Sequence, residues 1–127
     1  MTVSTRPVTV MQLPESLDGK RAQAFLRILE NGIESTRPSI VVDCSQVRRM
    51  DKPVLLFLLA CLEIAMKRNG DVRLAAISTR VEPILECSGV GRLFKSFGTP
   101  AEAINSFDRP AIDITPQVSR QASMDTA

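Results

Sequence analysis

Histidine, tryptophan and tyrosine are all absent from the 127 residues. Without histidine the chain lacks the one side chain whose unperturbed pKa lies near neutrality. A Ser-His-Asp triad, a Cys-His dyad and a His-ligated metal site are therefore excluded within it. Five phenylalanines are the whole aromatic complement, which leaves little material for stacking on nucleic-acid bases. Cysteine is scarce and odd in number. Cys44, Cys61 and Cys87 stand too far apart for a CxxC zinc or redox motif and cannot close a disulfide framework. They read as reduced, mostly buried thiols of a cytoplasmic protein. Long apolar runs are missing too: the longest, Pro53 to Leu62, stops at Glu63, well short of the ~20 residues that span a bilayer. Residues 1–10 show no charged start followed by an apolar stretch, as a signal peptide would. The expectation is a soluble chain with no direct membrane insertion. Neither sign of charge dominates, with sixteen Lys and Arg against fourteen Asp and Glu. Backbone binding to DNA or RNA calls for a concentrated basic face, so nucleic acid is not an expected partner.

What is present is ordinary globular material, 44% hydrophobic and 24% charged. A chain of this length folds as one domain, reducing roughly 20,000 Å² of unfolded surface to roughly 6,700 Å². Val8, Val10 and Leu13 alternate with polar residues between Pro7 and Pro14, the pattern of a short strand. From Gly19 the apolar Ala22, Phe25, Leu26, Leu29 and Ile33 recur at three and four, which predicts an amphipathic helix with Asp18 as N-cap and Gly32 as its stop. Ser39 to Asp43 is β-branched on successive residues, as in a strand covered on both faces. A polar loop from Cys44 to Lys52 leads into a second helix opened by Pro53 and closed by Asn69-Gly70. Asp71 to Ile77 reads as a third strand. Thr79 to Glu82 fits a capping box for a third helix that ends at Ser88-Gly89. Leu93 to Phe97 reads as a short strand, and Thr99-Pro100-Ala101-Glu102 starts a terminal helix with Ile104 and Phe107 on its buried side. Helices that alternate with strands imply βαβ units and a mainly parallel sheet. From Asp108 onward two prolines and small polar residues without periodicity suggest a flexible tail. The basophilic-looking Arg120-Gln121-Ala122-Ser123 within it is too short to carry weight.

Several of these segments together resemble a known pattern. A strand ends Val42-Asp43-Cys44-Ser45, Val47-Arg48-Arg49-Met50-Asp51 follows at a loop-to-helix junction, a strand ends Ala76-Ile77-Ser78, and Leu85-Glu86-Cys87-Ser88-Gly89 comes after. The order resembles the STAS family, the sulfate-transporter and anti-sigma-factor-antagonist domain, over roughly Val8 to Phe107. The resemblance implies an α/β fold: a four- to five-stranded mixed, mainly parallel sheet with about four helices packed mostly on one side. It would occupy residues 1–107, with 108–127 as the tail. Family members usually open on a β-hairpin, and the few residues ahead of Val8 imply that its first strand is truncated or absent. The resemblance also implies regulation by protein contact, with no cofactor and no chemistry of the domain's own.

In antagonists of this family the junction reads Asp-Ser-Ser-Gly-Leu or close to it, and a serine there is phosphorylated by the partner kinase. The matching stretch here is Asp51-Lys52-Pro53-Val54-Leu55. Asp51 and Leu55 agree, whereas Lys52 and Pro53 replace the hydroxyl residues and Val54 replaces the glycine. Neither Lys52 nor Pro53 can accept a phosphate, so the switch that adds close to two negative charges at a helix N-terminus is missing. The chain then either binds its partner without being shut off or serves another partner. The contact surface implied is Arg48, Arg49, Asp51, Lys52, Pro53, Val54, Leu55 and Leu56. Its implied partner is an anti-sigma factor or serine kinase of the GHKL type; the alternative is the ATPase of a lipid-trafficking ABC transport complex, with this chain as accessory subunit.

Other features have two readings each. The second helix is apolar nearly all round from Val54 to Leu62, although a surface helix needs only a stripe. The excess is either covered by neighbouring elements or forms a contact patch for another protein or a second copy. Arg48, Arg49 and Lys52 form either a solvated loop or an electrostatic guide for an acidic partner. Asp43 and Asp51, with Cys44 and Ser45 close by, are the remaining candidates for catalysis, but both carboxylates have structural roles to fill, as loop brace and N-cap. No spacing among them specifies acid-base work.

Overall fold

The computed structural model describes residues 7–33, 36–107 and 109–116. Its elements are β1 (Val8–Gln12), α1 (Gly19–Gly32), β2 (Ser39–Asp43), α2 (Lys52–Lys67), β3 (Asp71–Ala75), α3 (Glu82–Ser88), a 3₁₀ turn over Val90–Leu93, β4 (Lys95–Phe97), α4 (Pro100–Asn105) and β5 (Ala111–Asp113). The strands form one sheet in the order β4-β3-β2-β1-β5, and every pairing is parallel. Thus the mainly parallel sheet that the sequence suggests is parallel in every pairing among the described residues.

Strand periodicity divides the core into two layers. Met11, Ile40, Val42, Val72 and Leu74 point to one face, where Phe25 and Leu29 of α1, Phe57 and Leu58 of α2 and Leu85 of α3 cover them. Val8, Val10, Val41 and Ala75 point to the other and meet Ala103 of α4, with Ile104 and Phe107 packed alongside. Three helices therefore share one face and one short helix covers the other. The rings of Phe25 and Phe57 meet edge to face with centroids 6.3 Å apart, joining α1 to α2. Across the sheet, Arg73 lies 3.9 Å from the centroid of Phe107 while its Nε pairs with Asp71 at 3.1 Å. That contact fastens the end of α4 to β3.

Local signals explain most element ends. Asp18 accepts from the Arg21 backbone N–H at 2.7 Å and starts α1. Thr99 Oγ1 accepts from Glu102 N–H at 3.1 Å, and the Glu102 carboxylate reaches back to Gly98 N–H at 3.1 Å. Asn69 turns the chain out of α2 with φ 60°, and a Cβ on Gly70 would overlap the Pro38 carbonyl and ring. Only glycine lets that turn sit against the entrance to β2.

Four expectations are corrected. β3 stops at Ala75 and not at Ile77, because Ala76 turns left-handed at φ 58°. The capping box at Thr79 does not form: α3 starts at Glu82 with Pro83 in its first turn and Val81, without a capping side chain, at the N-cap. The proline suits the first turn, so the helix starts there and leaves Thr79 outside. Leu93 belongs to the 3₁₀ turn, which shortens β4 to Lys95–Phe97. Ala111–Asp113, expected within the tail, adds β5 to the edge of β1, with Val8 N–H donating to Pro110 O and Ile114 N–H to Val10 O at 2.8 Å. Residues 117–127, including Arg120 to Ser123, lie outside the described residues.

Adjacent positions on α2 provide a test of this layering. Phe57 is 1% exposed and Leu56 54%. Phe57→Ala should cost about 3–5 kcal/mol and Leu56→Ala no more than about 0.5 kcal/mol, both read from guanidinium unfolding followed by far-UV circular dichroism.

Candidate partner-binding surface

The implied contact surface begins where β2 ends. Asp43 is buried, and one carboxylate oxygen accepts from Ser45 N–H at 2.9 Å while the other lies 3.4 Å from the Gln12 side-chain amide. This turns the chain out of the sheet. Cys44 N–H continues the ladder to Ala75 O at 2.8 Å. The following loop is less polar in its packing than in its composition. Val47 and Met50 are each 2% exposed and join the core, while Arg48 and Arg49 N–H groups donate to the Glu15 carbonyl at 2.9 and 3.2 Å. Two buried anchors and two backbone hydrogen bonds to the β1–α1 loop thus fix a segment whose charged side chains face water.

Asp51 occupies the N-cap position of α2 with an extended backbone, and its carbonyl accepts from Leu55 N–H at 3.0 Å. Its carboxylate makes no capping hydrogen bond, so Asp51 holds the expected N-cap position without the expected side-chain bond. Pro53 fits the first turn, where its missing N–H has no partner to lose. Val54, Phe57, Leu58, Cys61 and Ala65 form the buried stripe of the helix. The run of apolar residues is therefore divided: some belong to the core, whereas Leu56, Leu59 and Met66 remain exposed, with Ile84 and Leu93 exposed on the α3 side of the molecule.

Of the implied contact residues, Arg48, Arg49, Asp51, Lys52 and Leu56 are exposed, and Pro53 and Leu55 are half-buried. Val54 is 1% exposed; it belongs to the core and cannot touch a partner. The phosphosite-equivalent positions Lys52 and Pro53 lie in the first turn, which holds no acidic residue. Three cations against one carboxylate give this corner a positive field at the positive end of a helix. Met66 adds to the exposed apolar flank of α2 beside Leu59, a residue that the sequence did not single out. The available signal was the helical wheel of α2, on which position 66 falls on the same flank as positions 55, 59 and 62.

The remaining chemistry-bearing side chains are enclosed. Burial first, and the neighbouring Asp43 second, push the Cys44 thiol up to about 12. Burial raises Cys61 as well, with Cys44 as the lesser cause. Cys87 is exposed. Among the described residues no three His, Cys, Asp or Glu side chains are placed to hold a metal ion, and no helix is long and apolar enough to cross a membrane. The arrangement offers a rigid, cationic and apolar surface, which suits contact.

Comparison with known proteins agrees with this geometry. A family model described as "Mlab, STAS domain" matches residues 1–95. The chain belongs to the STAS family. A STAS-domain protein of Planctomyces limnophilus, described as an anti-sigma-factor antagonist, superposes with a TM-score of 0.66 at 18% identity, over 78% of this chain and 89% of that one. A Thermotoga maritima protein described as a candidate anti-sigma factor antagonist gives 0.61 at 20% identity, over 81% and 84%. The NMR structure of that same protein, TM1081, gives 0.65 at 19%, over 76% and 78%. At these identities the likeness is one of fold. Among curated proteins no match is found.

The buried thiol makes stability depend on alkaline pH. A neutral Cys44 favoured in the fold contributes stability that is complete below its ordinary value of 9.0 and is lost as pH rises toward about 12. Guanidinium unfolding at about pH 8 and about pH 10.5 should therefore show a loss of stability that is smaller in Cys44→Ala than in the parent chain.

Proposed function

We propose that this STAS domain is a non-catalytic cytoplasmic regulator that binds another protein through Arg48, Arg49, Lys52 and Leu56, with Asp51, Pro53 and Leu55 at the rim. The observation that carries the reading is the pairing of an exposed leucine with three exposed cations on a segment fixed by Val47, Met50 and Val54. An apolar contact excludes water and slows dissociation, while the cations steer an acidic partner and set the on-rate. The preferred partner is an anti-sigma factor or serine kinase of the GHKL type, and the role is that of an anti-sigma-factor antagonist. Binding would release a sigma factor to transcription. Lys52 and Pro53 carry no hydroxyl, so this antagonist has no phosphate switch at the usual position and stays competent to bind.

A second reading is an accessory subunit of a lipid-trafficking ABC transport complex, bound to its ATPase. Two observations favour it: the matching family model is described by the name Mlab, and the exposed apolar surface continues along α2 through Leu59 to Met66. Both readings use the same corner of the molecule and neither asks for a cofactor.

Crosslinked affinity purification from the native cell separates the two readings, comparing the parent chain with a Lys52→Glu, Leu56→Asp variant. Both side chains are exposed, so the variant should keep its melting temperature and lose its partner. Loss of a GHKL-type kinase supports the antagonist, provided that the purified kinase and ATP leave the intact mass of this chain unchanged. Loss of a transport ATPase supports the second reading. A folded variant that retains every partner contradicts both.

A further inference from the structure

The path of the chain through the sheet reverses once. β1 to β4 are laid down in one direction, and the chain then returns across the opposite face through α4 to set β5 on the far side of β1. In open parallel sheets the point where strand order reverses opens a crevice beyond the carboxyl ends of the strands, and ligands bind there. In this fold that point is the β1–β5 pair.

A half-open groove of about 730 Å³ lies there, within the size range of small-molecule sites. Its walls come from segments just past strand ends: Leu13 to Ser16 after β1, Gln46 after β2, and Thr115 and Pro116 after β5. The opposite wall is the flank of α1 that carries Arg21, Ala24, Phe25 and Ile28. Ala24 and Ile28 are exposed and Pro14 and Pro116 half-buried above the buried Leu13 and Phe25, so the first four supply the accessible apolar floor of the groove. Backbone bonds hold the rim in place. Gln12 N–H donates to Thr115 Oγ1 at 2.7 Å, and the Glu15 carbonyl accepts from Arg48 and Arg49 N–H.

The rim carries one charge of each sign, Glu15 and Arg21, and neither forms an ion pair with another described residue. Arg21 also stands in the first turn of α1, where the helix dipole disfavours a cation and no acidic residue accompanies it. The Asp18 carboxylate nearby caps the Arg21 backbone N–H. A lone anion drawn to Arg21 would meet Glu15, and a lone cation drawn to Glu15 would meet Arg21 and the helix end. A molecule with both charges and an apolar body satisfies the rim and the floor together.

We propose that this groove binds a small zwitterion with an apolar body, of dipeptide size with free termini. Its carboxylate pairs with Arg21, its ammonium with Glu15, and its side chains cover Pro14, Ala24 and Ile28. The groove adjoins the partner-binding surface, whose Arg48 and Arg49 N–H groups bond the Glu15 carbonyl, but it does not depend on the function proposed for that surface.

With no tryptophan or tyrosine to report by fluorescence, the test is ¹⁵N NMR of the full chain titrated with the free dipeptide Leu-Phe. The expected result is saturable shifts confined to amides of Leu13, Glu15, Ser16, residues 21–28 and Gln46, with Arg48 and Arg49 following through Glu15, and a Kd of about 1 mM or below. Acetylating the amine or amidating the carboxyl group should each weaken binding about tenfold, the loss of one charge-assisted contact. Glu15→Gln should abolish the preference for the free amine, and Arg21→Gln the preference for the free carboxylate. Ala24→Trp should close the groove to both. Shifts that fail to saturate by about 10 mM, that scatter away from the groove, or that are matched by the doubly capped dipeptide would overturn the proposal.

Discussion

The surface at the start of α2 depends on the burial of β2 on both faces. All five residues of this strand are buried, and it pairs with β1 on one side and β3 on the other. A strand enclosed in this way has neither a free edge nor a solvent face, so its register cannot slip without moving side chains out of both core layers. The position of its carboxyl end is consequently fixed. Everything that follows, from the Asp43 turn to the first turn of α2, is displayed from that point.

Apolar anchors carry the fixed position outward. Val47 and Met50 enter the core from the loop, Val54 from the helix, and the charged residues between them are left on the outside. Arg48, Arg49 and Lys52 are thereby held as a group and not on a loose loop, which lowers the ordering entropy that a partner would have to offset. The exposed leucines and methionine of α2 complement this. Contiguous apolar surface is a liability in a free protein and an asset at an interface. Loss of a hydroxyl at positions 52 and 53 removes one means of control without disturbing the scaffold, since Pro53 is itself a good first-turn residue.

Much of this was legible in the sequence because it depends on local signals. The spacing of Ala22, Phe25 and Leu29, the Asp18 and Thr99 caps and the β-branched run at Ile40 to Val42 each specify an element without help from distant contacts. The family resemblance carried by Val42 to Asp51 and Leu85 to Gly89 supplied the arrangement of those elements. What escaped was tertiary in origin. Ala76 turns left-handed although nothing in its side chain favours that conformation. β5 has three residues, too few for a period, and exists because β1 offers it an edge. Val54 looked like part of the contact surface by its place in the motif, yet its place on the helical wheel puts it with Phe57 and Leu58 in the core. The groove beside α1 joins three segments distant in sequence, so no local pattern announces it.

Residues 44–51 form a fixed ledge and not a solvated polar loop. Native-state hydrogen exchange of the Arg48 and Arg49 amides tests it most directly, because both donate to the Glu15 carbonyl. Protection approaching that of the β2 amides is expected, with opening only together with the surrounding core. Exchange at the rate of an unstructured chain, with β2 still protected, would contradict it.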